Sequence, residues 1–251
     1  MTPHPCVSVV TPVLNAAKTL ERTLESVWRA RDWVKEHIVQ DAGSTDGSRD
    51  IIEAWHEKTG GFLRPEVAPD EGIADGFNRG VRRAGAQWVA ILNADDWYDE
   101  HAFDHLSPFF SDRFTILHGM IRQHRPDGTT RIAGKSDYDP RRHFRPLKTM
   151  PAQHLTCFIS RDAYETVGFY DKKYSIAMDY DFLLRAYLAG VTFRYIPQVI
   201  TNFTVGGRSS TDPLLAAREM MDSKIRNIDH HVTPRLWYLQ KWLRHKISSK
   251  T

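Results

Sequence analysis

An α/β fold with a mostly parallel central sheet flanked by helices is the class this sequence predicts, and three observations carry it. Short apolar runs alternate with helical patterns through residues 1–100. Two of those runs end in acidic loops, Val39-Gln-Asp-Ala-Gly-Ser-Thr-Asp46 and Ile91-Leu-Asn-Ala-Asp-Asp96. Read as buried parallel strands, both put carboxylates at strand C-terminal ends, where open α/β sheets bind ligands. The 251 residues, 41% hydrophobic and 26% charged, suffice for an ample core and exclude a disordered chain.

The elements follow in order. Val7 to Thr11 reads as a first strand, stopped by Pro12. Asn15 is placed to cap the next helix, whose apolar face is Leu20, Leu24, Val27 and Trp28. His37 to Gln40 is a second buried strand, and Ser44 to Ser48 a turn into a helix with Ile51, Ile52 and Trp55 inward. Phe62 to Ala68 gives a weaker third strand, Gly72 to Ala84 a helix with Ile73, Phe77 and Val81 on one face, and Gln87 to Leu92 a strand of the central sheet. This alternation implies right-handed crossovers.

The second half changes character. Phe114 to Arg122 and Thr129 to Ala133 flank the turn Arg125-Pro-Asp-Gly128, which predicts a hairpin. Residues 137–150 read as a basic, Pro-containing loop; helices are expected near Arg161 to Val167 and Asp179 to Ala189, and strands around Thr192 to Tyr195 and Val199 to Phe203. The expected organisation is one domain over 1–210, with a nucleotide half (about 1–100) and an acceptor half (about 101–210), followed by a helical extension over 211–251.

Composition narrows the class. Cys6 and Cys157 are too few and too far apart for a disulfide framework or zinc knuckle, which makes a reducing compartment the default. The N-terminus lacks a signal-peptide pattern and no stretch reaches the ~18 apolar residues of a spanning helix, so a cytoplasmic location is expected. The formal charge of +3 sits in the tail, where Arg235, Lys241, Arg244, Lys246 and Lys250 meet no acid. A nucleic-acid-binding face across the fold is therefore not expected. Residues 234–250 interleave those bases with Leu236, Trp237, Leu239, Trp242, Leu243 and Ile247, which suits either an anionic membrane surface, on the cytoplasmic side, or packing on the domain.

The acidic positions suggest chemistry. A carboxylate such as Asp41 at a strand end can accept the imide N–H of a uracil or thymine, or the N1–H and N2 amino group of a guanine. Asp95 and Asp96 offer hard oxygen ligands for Mg²⁺ or Mn²⁺, which would stabilise a diphosphate leaving group. Asp179, in Ala177-Met-Asp-Tyr-Asp181, is a candidate general base near a helix start, where the dipole keeps its basicity modest. Asp181 reads better as a capping acid paired with Arg185.

Five ordered segments, Val7-Ser-Val-Val-Thr-Pro-Val-Leu-Asn15, Gln40-Asp-Ala-Gly-Ser-Thr-Asp-Gly-Ser48, Asp70-Glu-Gly-Ile-Ala-Asp-Gly-Phe-Asn-Arg-Gly80, Leu92-Asn-Ala-Asp-Asp96 and Asp179-Tyr-Asp-Phe-Leu-Leu-Arg185, resemble the family 2 inverting glycosyltransferases of the GT-A fold. The resemblance runs from about residue 6 to residue 210. It implies that Thr11, Pro12, Asp41, Asp70, Asp75, Asn78 and Asp95 face a nucleotide-sugar donor, UDP-linked foremost. It also implies that Asp95 and Asp96 hold Mg²⁺ or Mn²⁺, and that Asp179 takes the proton of a glycan acceptor, lipid-linked as in members that build bacterial surface polysaccharides. Gln153 and His154 resemble a pair on the acceptor or diphosphate side, and Gly207 and Arg208 a loop that closes on the donor. Two departures stand out: Asn93 replaces the first acid of Asp-x-Asp, and Met178 the Glu of Glu-Asp. The rivals are a catalytically silent nucleotide-sugar or glycan-binding module and, less well supported, a sugar nucleotidyltransferase, for which Thr11 to Lys18 lack a Gly-rich triphosphate loop.

Overall fold

The computed structural model describes residues 4–134, 152–206 and 212–228, with Arg235, Tyr238, Leu239 and Trp242 of the C-terminal segment. The opening half alternates as expected: β1 (Val7–Val13), α1 (Leu20–Arg29), β2 (Val34–Asp41), α2 (Ser48–Thr59), β3 (Leu63–Val67), α3 (Ile73–Arg83) and β4 (Trp88–Ile91). Then come β5 (Trp97–Tyr98), α4 (Ala102–Leu106), β6 (Thr115–His124), β7 (Thr130–Ala133), β8 (Phe158–Ser160), α5 (Arg161–Val167), α6 (Met178–Leu188), β9 (Thr192–Thr204) and α7 (Pro213–Asn227).

The strands form one sheet in the order β3-β2-β1-β4-β8-β6-β9-β5, with β7 hairpinned onto β6. The four strands of the opening half are mutually parallel, β8 is antiparallel to both β4 and β6, and β9 runs parallel to β6. Alternation along the strands feeds two cores. Val10, Ile38, Val89 and Ile159 face α3, α5 and α6 through Phe77, Val81, Ala163 and Phe182. Val9, Trp88, Leu117 and Phe158 face the opposite side with Val27, Phe103 and Leu106. Gly80 lets α3 lie directly on β1, because a Cβ there would overlap the Val10 side chain.

Three local expectations are corrected. Pro12 does not stop β1. Val10 C=O accepts from Leu92 on the β4 side and Val13 C=O from Ala42 on the β2 side, so alternation turns the Pro12 nitrogen toward β4, whose pairing with β1 has already ended at Val10–Ile91. A missing N–H costs nothing there. Asn15 does not cap α1; in a left-handed conformation (φ 54°) it accepts from Thr45 N–H (2.9 Å), bracing the turn after β2. The two strands expected between Thr192 and Phe203 are one, β9, whose register against β6 shifts between His118–Tyr195 and Met120–Val199. That irregularity accommodates Pro197, which cannot donate to a ladder.

Candidate functional site

The C-terminal ends of β1 and β4 open into a cleft of about 1030 Å³. Pro12 to Asn15 and Asn93 to Asp95 come from those ends, Asp70 from the turn before α3, Gln153 and His154 from the segment before β8, and Ala177 to Tyr180 from the start of α6. Ile121 of β6, Phe203 of β9 and Met220 of α7 supply an apolar wall. Among the described residues, the charged lining is Asp46, Asp70, Asp95 and Asp179 against Lys18. Such a cleft is acidic, and an anionic ligand would enter it favourably only with a cation.

Asp179 stands half-buried in the first turn of α6, lining the cleft. Burial pushes its carboxyl up to about 6, against the pull of the Tyr180 N–H (2.6 Å) and with a further push from the negative charge of Glu219. That value suits a general base working near neutral pH. Asp181 pairs with Arg185 as expected (2.7 Å) but does not cap α6; it is buried, and its other oxygen accepts from Ser223 (2.7 Å).

Asp95 lines the cleft, its carboxyl raised by burial although Arg22 pulls the other way. The Arg22 guanidinium lies 3.4 Å from the Trp97 ring centroid and donates to the Asp95 C=O (3.2 Å), fixing this turn from outside. Asp96, expected as a second ligand, is fully buried instead: one oxygen accepts from Thr204 N–H (3.0 Å) and the other from the Asn93 amide (3.4 Å). Burial and the neighbouring charge of Asp95 push it up to about 8. The side-chain oxygen of Asn93 is buried without a hydrogen-bond partner. Asn93 and Asp95 therefore fit a hard divalent cation that takes its other donors from ligand or water; among the described residues no cluster of three His, Cys, Asp or Glu side chains adds to them.

Several expected contacts are redirected. Asp41 is 1% exposed and accepts from Ser44 N–H (3.1 Å), Ser44 Oγ (2.5 Å) and Arg49 (3.2 Å), so its carboxylate closes the turn after β2 and does not line the cleft. The Thr11 hydroxyl is buried against His37 (2.8 Å), whereas Pro12 does line the cleft. Asp70 lies in the cleft, but Asp75 turns away to Arg79 (3.0 Å) and Lys172 (3.5 Å). Both ends of the Asn78 amide are engaged by Tyr170, donating to its C=O (2.9 Å) and accepting from its N–H (2.9 Å). Gln153 and His154 both line the cleft; His154 is held by the Tyr170 hydroxyl (2.8 Å) and stacked on Phe77, and burial lowers it to about 4. It is therefore neutral at physiological pH and cannot supply positive charge to a diphosphate. Gly207, Arg208, the basic loop Arg141, Arg142, Arg145 and Lys148, and most of 234–250 lie outside the described residues.

Sequence reasoning missed Lys18, Ile121, Phe203 and Met220 in the cleft, and Glu219 behind Asp179. Lys18 was discoverable, because it follows the first strand at the sheet's ligand-binding edge. The others come from elements whose placement depends on long-range pairing.

The chain is similar to known proteins in sequence and in fold. The chain is 28% identical over 220 residues to a PGL/p-HBAD biosynthesis glycosyltransferase of Mycobacterium bovis, covering 82% of this chain and 80% of that protein. Among solved structures, the fold matches Staphylococcus aureus TarS 1–349 in complex with UDP-GlcNAc at a TM-score of 0.66 and 18% identity, covering 96% of this chain and 72% of that one. It matches the mannosyltransferase PcManGT of Pyrobaculum calidifontis, solved with GDP-Man and Mn²⁺, at 0.67 and 18%, covering 90% and 65%. In a longer solved chain of TarS the match spans 43% of its length. The sheet and its helices are thus of the GT-A type, and because the glycosyl transferase family 2 model matches residues 8–168, the chain belongs to that family.

Proposed function

We propose that this protein is an inverting glycosyltransferase that moves one sugar from a nucleoside-diphosphate donor to a hydroxyl of a glycan acceptor. The observation that carries the reading is Asp179, a carboxyl raised to about 6 in the same acidic cleft as Asp95 and Asn93. The acceptor O–H gives its proton to Asp179 while that oxygen attacks the anomeric carbon. The bond from that carbon to the diphosphate oxygen breaks, its electron pair leaves with the nucleoside diphosphate, and the configuration inverts. Asn93 and Asp95 would hold Mg²⁺ or Mn²⁺, which when bound supplies positive charge to the leaving diphosphate. The cations and donors in the solved neighbours, UDP-GlcNAc, GDP-Man and Mn²⁺, support this assignment, with a UDP-linked donor preferred.

The apolar wall of Ile121, Phe203 and Met220 supports an acceptor with an apolar portion such as a lipid carrier, and a relative that serves PGL/p-HBAD biosynthesis supports a biosynthetic role. Among the described residues no helix is long and apolar enough to cross a membrane. Contact with the cytoplasmic face through 234–250 belongs to the same proposal.

A thermal-shift panel of UDP, GDP, dTDP and CDP, each with Mn²⁺ or with chelator, tests the site. One nucleotide at a hundred times its Kd should add about 2.7 kcal/mol in a metal-dependent manner. No response from any nucleotide in a folded sample would shift the reading to a glycan-binding module. Asp179→Asn should then bind the donor normally and transfer no sugar.

A further inference from the structure

We propose that Glu219, on α7, is a positioning residue for Asp179: its carboxylate holds the turn that opens α6 and keeps an anion beside the base. This rests on the reading of Asp179 as the base.

Glu219 is 9% exposed and accepts four hydrogen bonds from three successive residues: Ser175 N–H (2.9 Å), Ser175 Oγ (2.9 Å), Ile176 N–H (2.8 Å) and Ala177 N–H (2.9 Å). Ala177 is the N-cap of α6, and Ser175 and Ile176 form the turn just before it, at the end where a helix carries partial positive charge that would hold an acid in its first turn ionised and weakly basic. Glu219 occupies the N–H groups of all three with a full negative charge. Burial pushes Glu219 up, but its hydrogen bonds from the 175–177 turn outweigh burial and leave it below the ordinary carboxylate range, so it stays ionised where Asp179 titrates. The other titratable groups facing Asp179 are Cys157 and Tyr170, both neutral because burial raises them, and neutral His154. Asp70 shares the cleft.

The rest of the same α7 face grips the same stretch of chain. Asp222 accepts from Lys173 (2.6 Å) and the Tyr174 hydroxyl (2.8 Å), Ser223 donates to Asp181 (2.7 Å), and Arg226 donates to Asp171 (2.9 Å). Positions 219, 222, 223 and 226 recur at three and four residues, one stripe of a helix. α7 thus splints residues 171–181, and Glu219 is the member of the splint that touches the approach to the base.

The deciding experiment is a carboxyl ¹³C titration of the full chain, with the Asp179 signal assigned by its loss in Asp179→Asn. Glu219→Gln removes the charge at constant size and should lower the Asp179 titration by about one pH unit, because both the lost anion and the freed N–H groups favour carboxylate. Glu219→Asp keeps the charge and should titrate near wild type. An unchanged Asp179 titration in Glu219→Gln overturns the proposal. Nucleotide release from UDP-N-acetylglucosamine, UDP-glucose and GDP-mannose with Mn²⁺ provides the kinetic arm. Turnover should fall about 10-fold in Glu219→Gln, with the acid limb of its pH profile displaced downward, and about 100-fold in Glu219→Ala, whose turn loses its anchor. If Asp179→Asn itself transfers sugar, the base assignment fails, while the titration still reads whether Glu219 controls Asp179. If Glu219→Ala does not fold, the Gln variant carries the test.

Discussion

Replacing Asp179 with Asn should abolish transfer and at the same time stabilise the protein at neutral and alkaline pH. The Asp179 carboxyl is raised from 3.8 to about 6 by burial first, with Glu219 adding to it. A displacement of that size corresponds to roughly 3 kcal/mol between the two protonation states. The residue is half-buried, and solvent screening brings the contribution to about 1–2 kcal/mol. The sign follows from linkage: a folded pKa above the unfolded one gives stability that is present below about 3.8 and is lost as pH rises through about 6. At pH 8 the wild type carries the whole penalty, whereas the amide introduced by Asp179→Asn has no charge to desolvate and its oxygen can still accept from the Tyr180 N–H. Calorimetry at pH 4, 6 and 8 should show nearly equal melting temperatures at pH 4 and an advantage for Asp179→Asn of about 4 °C at pH 8, taking a few degrees per kcal/mol for a chain of this size. Equal melting at pH 8, or an advantage that does not change with pH, would refute the reading of Asp179 as a half-buried carboxyl whose ionisation burial opposes.

Asp95→Ala should weaken the Mn²⁺-dependent component of nucleotide binding by at least tenfold, measured by calorimetric titration with and without chelator; equal loss in both conditions would remove the cation from Asp95. Asn78→Ala should cost about 2–4 kcal/mol in urea denaturation, since it strands the Tyr170 N–H and C=O in a buried setting; nucleotide affinity should stay within twofold, and a larger change would return Asn78 to the donor site. Gly80→Ala should cost about 1–3 kcal/mol by forcing α3 away from Val10, read as a lower denaturation midpoint with an unchanged slope.

The parts of this structure legible in the sequence are those whose signals are local. Apolar runs such as Val7–Val10 and Trp88–Ile91 announce buried strands, and Asp95, which follows the second of them, inherits a place at the ligand edge; Asp70 and Asp179 reach the same cleft from the turn before α3 and the start of α6. What failed depended on distant partners. Pro12 is tolerated because β4 has ended beside it, a fact about another strand. Asn78 looks like a ligand contact until Tyr170, 92 residues away, is seen to engage both ends of its amide. Asp41 has the residue type and position of a base-reading acid, yet Ser44 and Arg49 claim its oxygens within the turn. Glu219 carried no signal, since one acid among the charges of an amphipathic helix looks like solvated surface.

The tie between Asp96 and Thr204 bears on how this enzyme can be dissected. Thr204 N–H holds the Asp96 carboxylate, its hydroxyl donates to the Asp95 C=O (2.8 Å), and Thr23 donates to the Asp96 C=O (2.7 Å). The acidic turn is therefore assembled from α1 and the far end of β9 at once. A fragment cut to the family match, 8–168, would keep Asp95 and Asp96 but lose the strand that satisfies them, Asp179, and the helix behind Asp179. The boundary of shared sequence is therefore not a boundary of packing: β9 and α7 complete contacts that begin in α1, in the turn after β4 and at the start of α6.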